Sequence, residues 1–118
     1  MYELIFWQYE DEIYLNHHEV YEALCDKEIV AGLKILQIDV ILNRVAKLFI
    51  EWQKIDNDSW QNSKTNAAFQ IKTTSQSIKI DCYGTDGKTM DTLVAILDDY
   101  HCALYDPQIP ARYDEFFE

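Results

Sequence analysis

The spacing of apolar side chains changes period several times along this chain, and each change marks an element. Tyr2 to Tyr9, YELIFWQY, is dense in aromatic and branched residues and predicts a strand. Asn16 with Glu19 three residues later has the form of a capping box. The helix it opens carries Val20, Leu24 and Tyr21 on one face and ends before Gly32. Asp39 is the next candidate N-cap. Behind it, DVILNRVAKLFIEWQKI sets Ile41, Val45, Leu48, Phe49, Trp52 and Ile55 at steps of three and four, one helical stripe. Arg44, Lys47, Glu51 and Lys54 fill much of the opposite face.

Asp56 to Thr65 is polar and predicts a loop, with Trp60 conspicuous inside it. The period then falls to two. Ala67, Phe69 and Ile71 alternate with Ala68, Gln70 and Lys72, and Ile78, Ile80 and Cys82 alternate with Lys79, Asp81 and Tyr83. Thr74 to Ser77 joins these strands as a hairpin turn without glycine. Gly84 to Gly87 breaks the second strand. A third helix, about Lys88 to Tyr100, buries Met90, Leu93, Val94 and Leu97. Cys102 to Tyr105 predicts a last strand, and Pro107 and Pro110 end regular structure.

The order predicts one α+β domain over residues 1–118. Its expected core is a four-stranded antiparallel sheet with helices on one face. That is a ferredoxin-like βαββαβ variant with an expanded first helical region. Residues 106–118 are expected to be an irregular acidic and aromatic tail.

Composition fits this picture. Of 118 residues, 48% are apolar and 14% aromatic, enough to fold without metals or disulfides. The apolar runs are far short of the ~20 residues that span a bilayer. Met1-Tyr2-Glu3-Leu4 lacks the basic start of a signal peptide. Three cysteines, Cys25, Cys82 and Cys102, fit reduced thiols. A cytoplasmic protein is expected.

Charge changes the picture more. Ten Lys+Arg against 21 Asp+Glu leave a net charge of −11. Such a chain repels nucleic acid and anionic membranes and attracts a basic partner. Solubility alone is the competing explanation.

Catalytic chemistry finds no support. His17 and His18 are adjacent and diverge by about 100° on a helix. No CxxC, HxxxH, GxSxG, P-loop or GxGxxG spacing occurs. His101 and Cys102 are strand neighbours that face opposite ways. Gly84-Thr85-Asp86-Gly87 at a helix start resembles an anion cradle, but Asp86 opposes a phosphate and a plain turn explains it. No catalytic residue, metal or cofactor is expected.

Carboxylates recur with aromatics, the pattern of an interface with anchors and a charged surround. The candidate docking residues are Glu10, Asp11, Glu12, Asp56, Asp58, Trp60, Asp98, Asp99, Asp106, Tyr113, Asp114 and Glu115.

Two stretches carry a family likeness: YELIFWQYEDE at the start and IDCYGTDGKTMDTLVAILDDYHCALYDPQ near the end. The most specific part is Leu104-Tyr105-Asp106-Pro107-Gln108. Together they resemble bacterial immunity proteins of polymorphic-toxin systems, including contact-dependent growth inhibition. The likeness covers roughly half the chain, and residues 16–66 add nothing to it. It implies a cytoplasmic, non-enzymatic protein that binds a cognate toxin domain, often a nuclease with a basic surface, and touches neither nucleic acid nor membrane. The alternative is a small-molecule-binding regulatory or adaptor domain, which needs an apolar pocket with a few convergent polar groups.

Overall fold

A computed structural model describes residues 2–13, 15–56, 58–109 and 111–112. The chain runs β1 (Tyr2–Trp7), α1 (His17–Cys25), α2 (Ile38–Leu48), β2 (Gln53–Asp56), β3 (Ser59–Gln61), β4 (Ala68–Thr73), β5 (Ile78–Tyr83), α3 (Gly87–Asp99), β6 (Ala103–Asp106) and β7 (Ala111–Arg112). The fold is α+β.

The sheet is antiparallel, in the order β2-β3-β4-β5-β1-β6-β7. The four expected strands, β4, β5, β1 and β6, lie side by side at its centre. The expected four-stranded ferredoxin-like sheet is nevertheless not what forms. Six strands of three residues or more, plus the two-residue β7, make a wider sheet.

The extra width has a local cause. Gln53 to Asp56 carried the end of the expected second helix, and Asp56 to Thr65 was the expected loop. In the structure α2 stops at Leu48, and β2 and β3 form a hairpin. Trp60 on β3 lies opposite Phe69 on β4, where the rings stack at 5.2 Å and 10°. That apolar pair gives the polar stretch a reason to join the sheet. The start of α2 differs too. Gln37 is its N-cap, without a side-chain cap bond, and Asp39 lies in the first turn, where a carboxylate favours the helix dipole.

The helices occupy both faces, not one. Leu4 and Phe6 of β1 join α2 and α3 (Ile41, Val45, Leu93, Ile96, Leu97) in the larger core cluster. Ile5 and Trp7 point the other way and pack with Val20 and Leu24 of α1, Leu33 and Tyr105. β1 is therefore apolar on both sides, as expected of a strand covered twice. β5 instead alternates, with Ile78, Ile80 and Cys82 inward beneath α2 and α3 and charged residues between them.

The caps follow the sequence closely. Asn16 Oδ1 accepts the Glu19 amide at 3.1 Å, and Asp86 Oδ1 accepts the Thr89 amide at 2.8 Å. Both α1 and α3 end in paired hydrogen bonds of the Schellman type. Lys27 N and Glu28 N donate to Leu24 O and Ala23 O, and His101 N and Cys102 N donate to Asp98 O and Leu97 O. Lys27 and His101 sit at φ 59° and 61°, the left-handed position glycine usually fills.

The β4–β5 turn is Thr74 to Ser77, closed by Thr74 N to Ser77 O at 3.0 Å. Its Gln76 is 4% exposed and clamps the α1–α2 connection. Gln76 Oε1 accepts the Val30 amide, and Nε2 donates to Val30 O and Leu33 O.

Candidate functional site

Asp106, the last residue of β6, and Gln108 just beyond it do structural work. Glu3 N donates to Gln108 Oε1 at 2.7 Å, and Gln108 Nε2 donates to Glu3 O at 2.9 Å. The side-chain amide thus pairs with the β1 backbone as a further strand residue would. Asp106 orients it: Oδ1 accepts Gln108 N at 3.0 Å and also Gln108 Nε2, while Oδ2 accepts the Tyr2 hydroxyl. Asp106 is 4% exposed. It is a corner bracket, not a docking residue.

Trp60, expected at a docking surface, is buried instead. It is 2% exposed, inside the core with Phe69. Phe69 itself meets Phe49 at 4.9 Å and Trp52 at 5.3 Å. An aromatic in a polar stretch looked like a surface anchor because its cross-strand partner lies nine residues away.

The remaining acids separate into two places. Asp56 and Asp58 sit at the β2–β3 turn, on the sheet edge far from β6. Asp58 N donates to Asp56 Oδ1 at 3.0 Å. A hydrogen bond shared by the two carboxyl groups holds Asp56 below the usual carboxylate range and lifts Asp58 above it. Tyr113, Asp114 and Glu115 lie outside the described residues.

Asp99 lines a cleft that sequence spacing did not indicate, and Asp11 reaches its edge only through Lys34. The cleft holds about 490 Å³ and is lined by Gln8, Lys34, Ile35, Leu36, Gln37, Ile41, Asp99, Tyr100 and His101. Lys34 Nζ reaches Asp11 Oδ1 at 3.6 Å across its rim. Backbone bonds from Glu10 N to Gly32 O and from Lys34 N to Gln8 O hold the Glu10–Glu12 turn beside it. Glu10, Asp11 and Glu12 are exposed, and Asp98 is half-buried in the last turn of α3. Asp99 pairs with Arg44, whose guanidinium also lies 5.7 Å from the Tyr100 ring.

A second opening continues the first through Ile35, Leu36 and Gln37, adding Ile38, Asp39, Val40 and Ser75. Ile35 is 70% exposed and Val40 49%. The two openings adjoin at Ile35–Gln37: the first has a largely polar lining that includes Lys34 and Asp99, and the second is mainly apolar, with exposed Ile35 and Val40 beside Asp39. In sequence Asp39 reads only as a helix cap, and Ile35 carries no signal. Val40 did carry a signal: it is apolar yet falls off the Ile41–Val45 stripe, so α2 cannot bury it.

No family model matches this chain, and neither do the curated proteins or the solved structures searched. The groove therefore stands on its own geometry. Cys82 and Cys102 are 1% exposed, and burial pushes the Cys82 thiol up, away from the reactive thiolate. Cys102 points inward while His101 is exposed. Among the described residues, no three His, Cys, Asp or Glu side chains are grouped to hold a metal ion. No helix among them is long and apolar enough to cross a membrane.

Proposed function

We propose that this chain is a cytoplasmic immunity protein that binds and neutralises a cognate toxin domain, by stoichiometric contact and without catalysis. The observation that carries the reading is the groove at Ile35–Val40. Exposed Ile35 and Val40 lie beside Asp39 and two ion pairs, Lys34–Asp11 and Arg44–Asp99, on a chain of net charge −11. Exposed apolar anchors on a strongly acidic chain are complementary to a basic surface with a protruding apolar residue. A toxin that grips nucleic acid presents such a surface, and covering it excludes the substrate. The likeness of both ends of the chain to immunity proteins points the same way.

The test begins with the neighbouring genes: one of them should encode a large exoprotein, and its C-terminal domain is then co-expressed with this chain. The domain alone should arrest growth, and the pair should grow and purify as a complex. Asp11→Asn with Asp39→Asn should slow association, and added salt should slow it for the parent chain. Ile35→Ala with Val40→Ala should instead speed dissociation. A folded chain that neither protects cells nor binds that domain overturns the proposal.

A further inference from the structure

In a chain with only ten Lys and Arg, three lysines line one cleft. Lys27, Lys72 and Lys79 surround about 350 Å³ between the end of α1 and the β4–β5 hairpin. This is the α1 side of the sheet, away from the groove at Ile35–Val40. Ile5 and Leu24, 2% and 3% exposed, supply an apolar floor. Cys25, Thr73, Thr74 and Ser77 complete the lining.

Two features of this cleft work against stability. Lys72 and Lys79 are direct cross-strand partners on β4 and β5, and like charges so placed repel. Lys27 occupies the left-handed position after α1 at φ 59°, where glycine would sit with less strain. Acids offset the charge only in part. Lys72 Nζ lies 3.4 Å from Asp81 Oδ2 and Lys79 Nζ 3.6 Å from Glu3 Oε1, while Lys27 forms no ion pair among the described residues.

We propose that this cleft binds a small amphiphilic anion. Its short apolar chain lies on Ile5 and Leu24, and its oxyanion head accepts hydrogen bonds from the three ammonium groups and neighbouring hydroxyls. The volume is in the range of small-ligand pockets. Asp81 and Glu3 already face Lys72 and Lys79, so the three ammonium groups keep one charge in excess, and the cleft favours a singly charged ligand with an apolar tail. The site is independent of toxin binding and lies on the other face of the sheet.

The experiment is a methyl-resolved NMR titration of the whole chain with hexanoate, hexanol and inorganic phosphate at matched ionic strength. Hexanoate should shift the Ile5 and Leu24 methyls saturably. Hexanol and phosphate should each bind at least roughly five-fold more weakly, the scale of one lost partly exposed charge contact. Lys27→Gly removes an ammonium and relieves the backbone, so the fold persists while hexanoate weakens about three- to five-fold. Lys72→Gln should act in the same direction. No saturable hexanoate shift overturns the proposal. So does hexanol or phosphate matching hexanoate, or both variants binding hexanoate as the parent does.

Discussion

Trp60→Ala separates a core role from a docking role. The side chain is 2% exposed and stacked on Phe69, which packs in turn on Phe49 and Trp52. A buried Trp removes ~150–250 Å² from water. At about 25 cal/mol per Å² that is roughly 4–6 kcal/mol, of which alanine keeps a small share. The stack contributes roughly 0.5–1.5 kcal/mol more. Truncation of a buried aromatic costs about 3–5 kcal/mol, and a domain holds only about 5–15 kcal/mol in all. The variant should fold with much of its margin gone. At a urea slope of about 1–2 kcal/mol/M, the midpoint should fall by roughly 1.5 M or more. Trp60→Phe, which keeps a ring against Phe69, should lose about 1–2 kcal/mol. Urea titrations followed by far-ultraviolet circular dichroism measure both. A Trp60→Ala loss below about 1 kcal/mol at unchanged slope would refute this reasoning and return Trp60 to the surface as a partner anchor.

Leu97 is fully buried on α3, so Leu97→Ala should lower stability by ~2–5 kcal/mol in the same titration. Gln108→Ala should cost about 1–2 kcal/mol by leaving the Glu3 amide and carbonyl without their partner, and the Glu3 amide should exchange faster with solvent than in the parent. Asp86→Ala should destabilise the chain at neutral pH, because the carboxylate accepts the Thr89 amide. That bond holds the Asp86 pKa below its usual value, so its contribution is present above the unfolded-state value of about 3.9 and fades as pH falls through the folded one. Urea midpoints of parent and variant should therefore converge in strong acid, and a constant gap down to pH 2 would contradict the capping role.

The local elements were legible before any coordinates. The Asn16 cap, the Ile41–Val45 stripe, the Thr74–Ser77 turn and the Leu93–Leu97 stripe are each set by residues within one or two turns of one another. Side-chain period and capping chemistry act over that range. The tertiary structure decided what required distant partners. Gln53 to Gln61 has helical spacing on one side and polar composition on the other, and it became a hairpin because Trp60 found Phe69. Leu4-Ile5-Phe6-Trp7 reads as one apolar strand, but only packing shows that α1 takes Ile5 and Trp7 while α2 and α3 take Leu4 and Phe6. The candidate site was legible least. Asp11 and Asp99 are 88 positions apart, and the apolar lips at Ile35 and Val40 are ordinary residues in sequence. Burial depends on which surfaces meet, and a side chain's own period cannot encode whether a second element arrives to cover it.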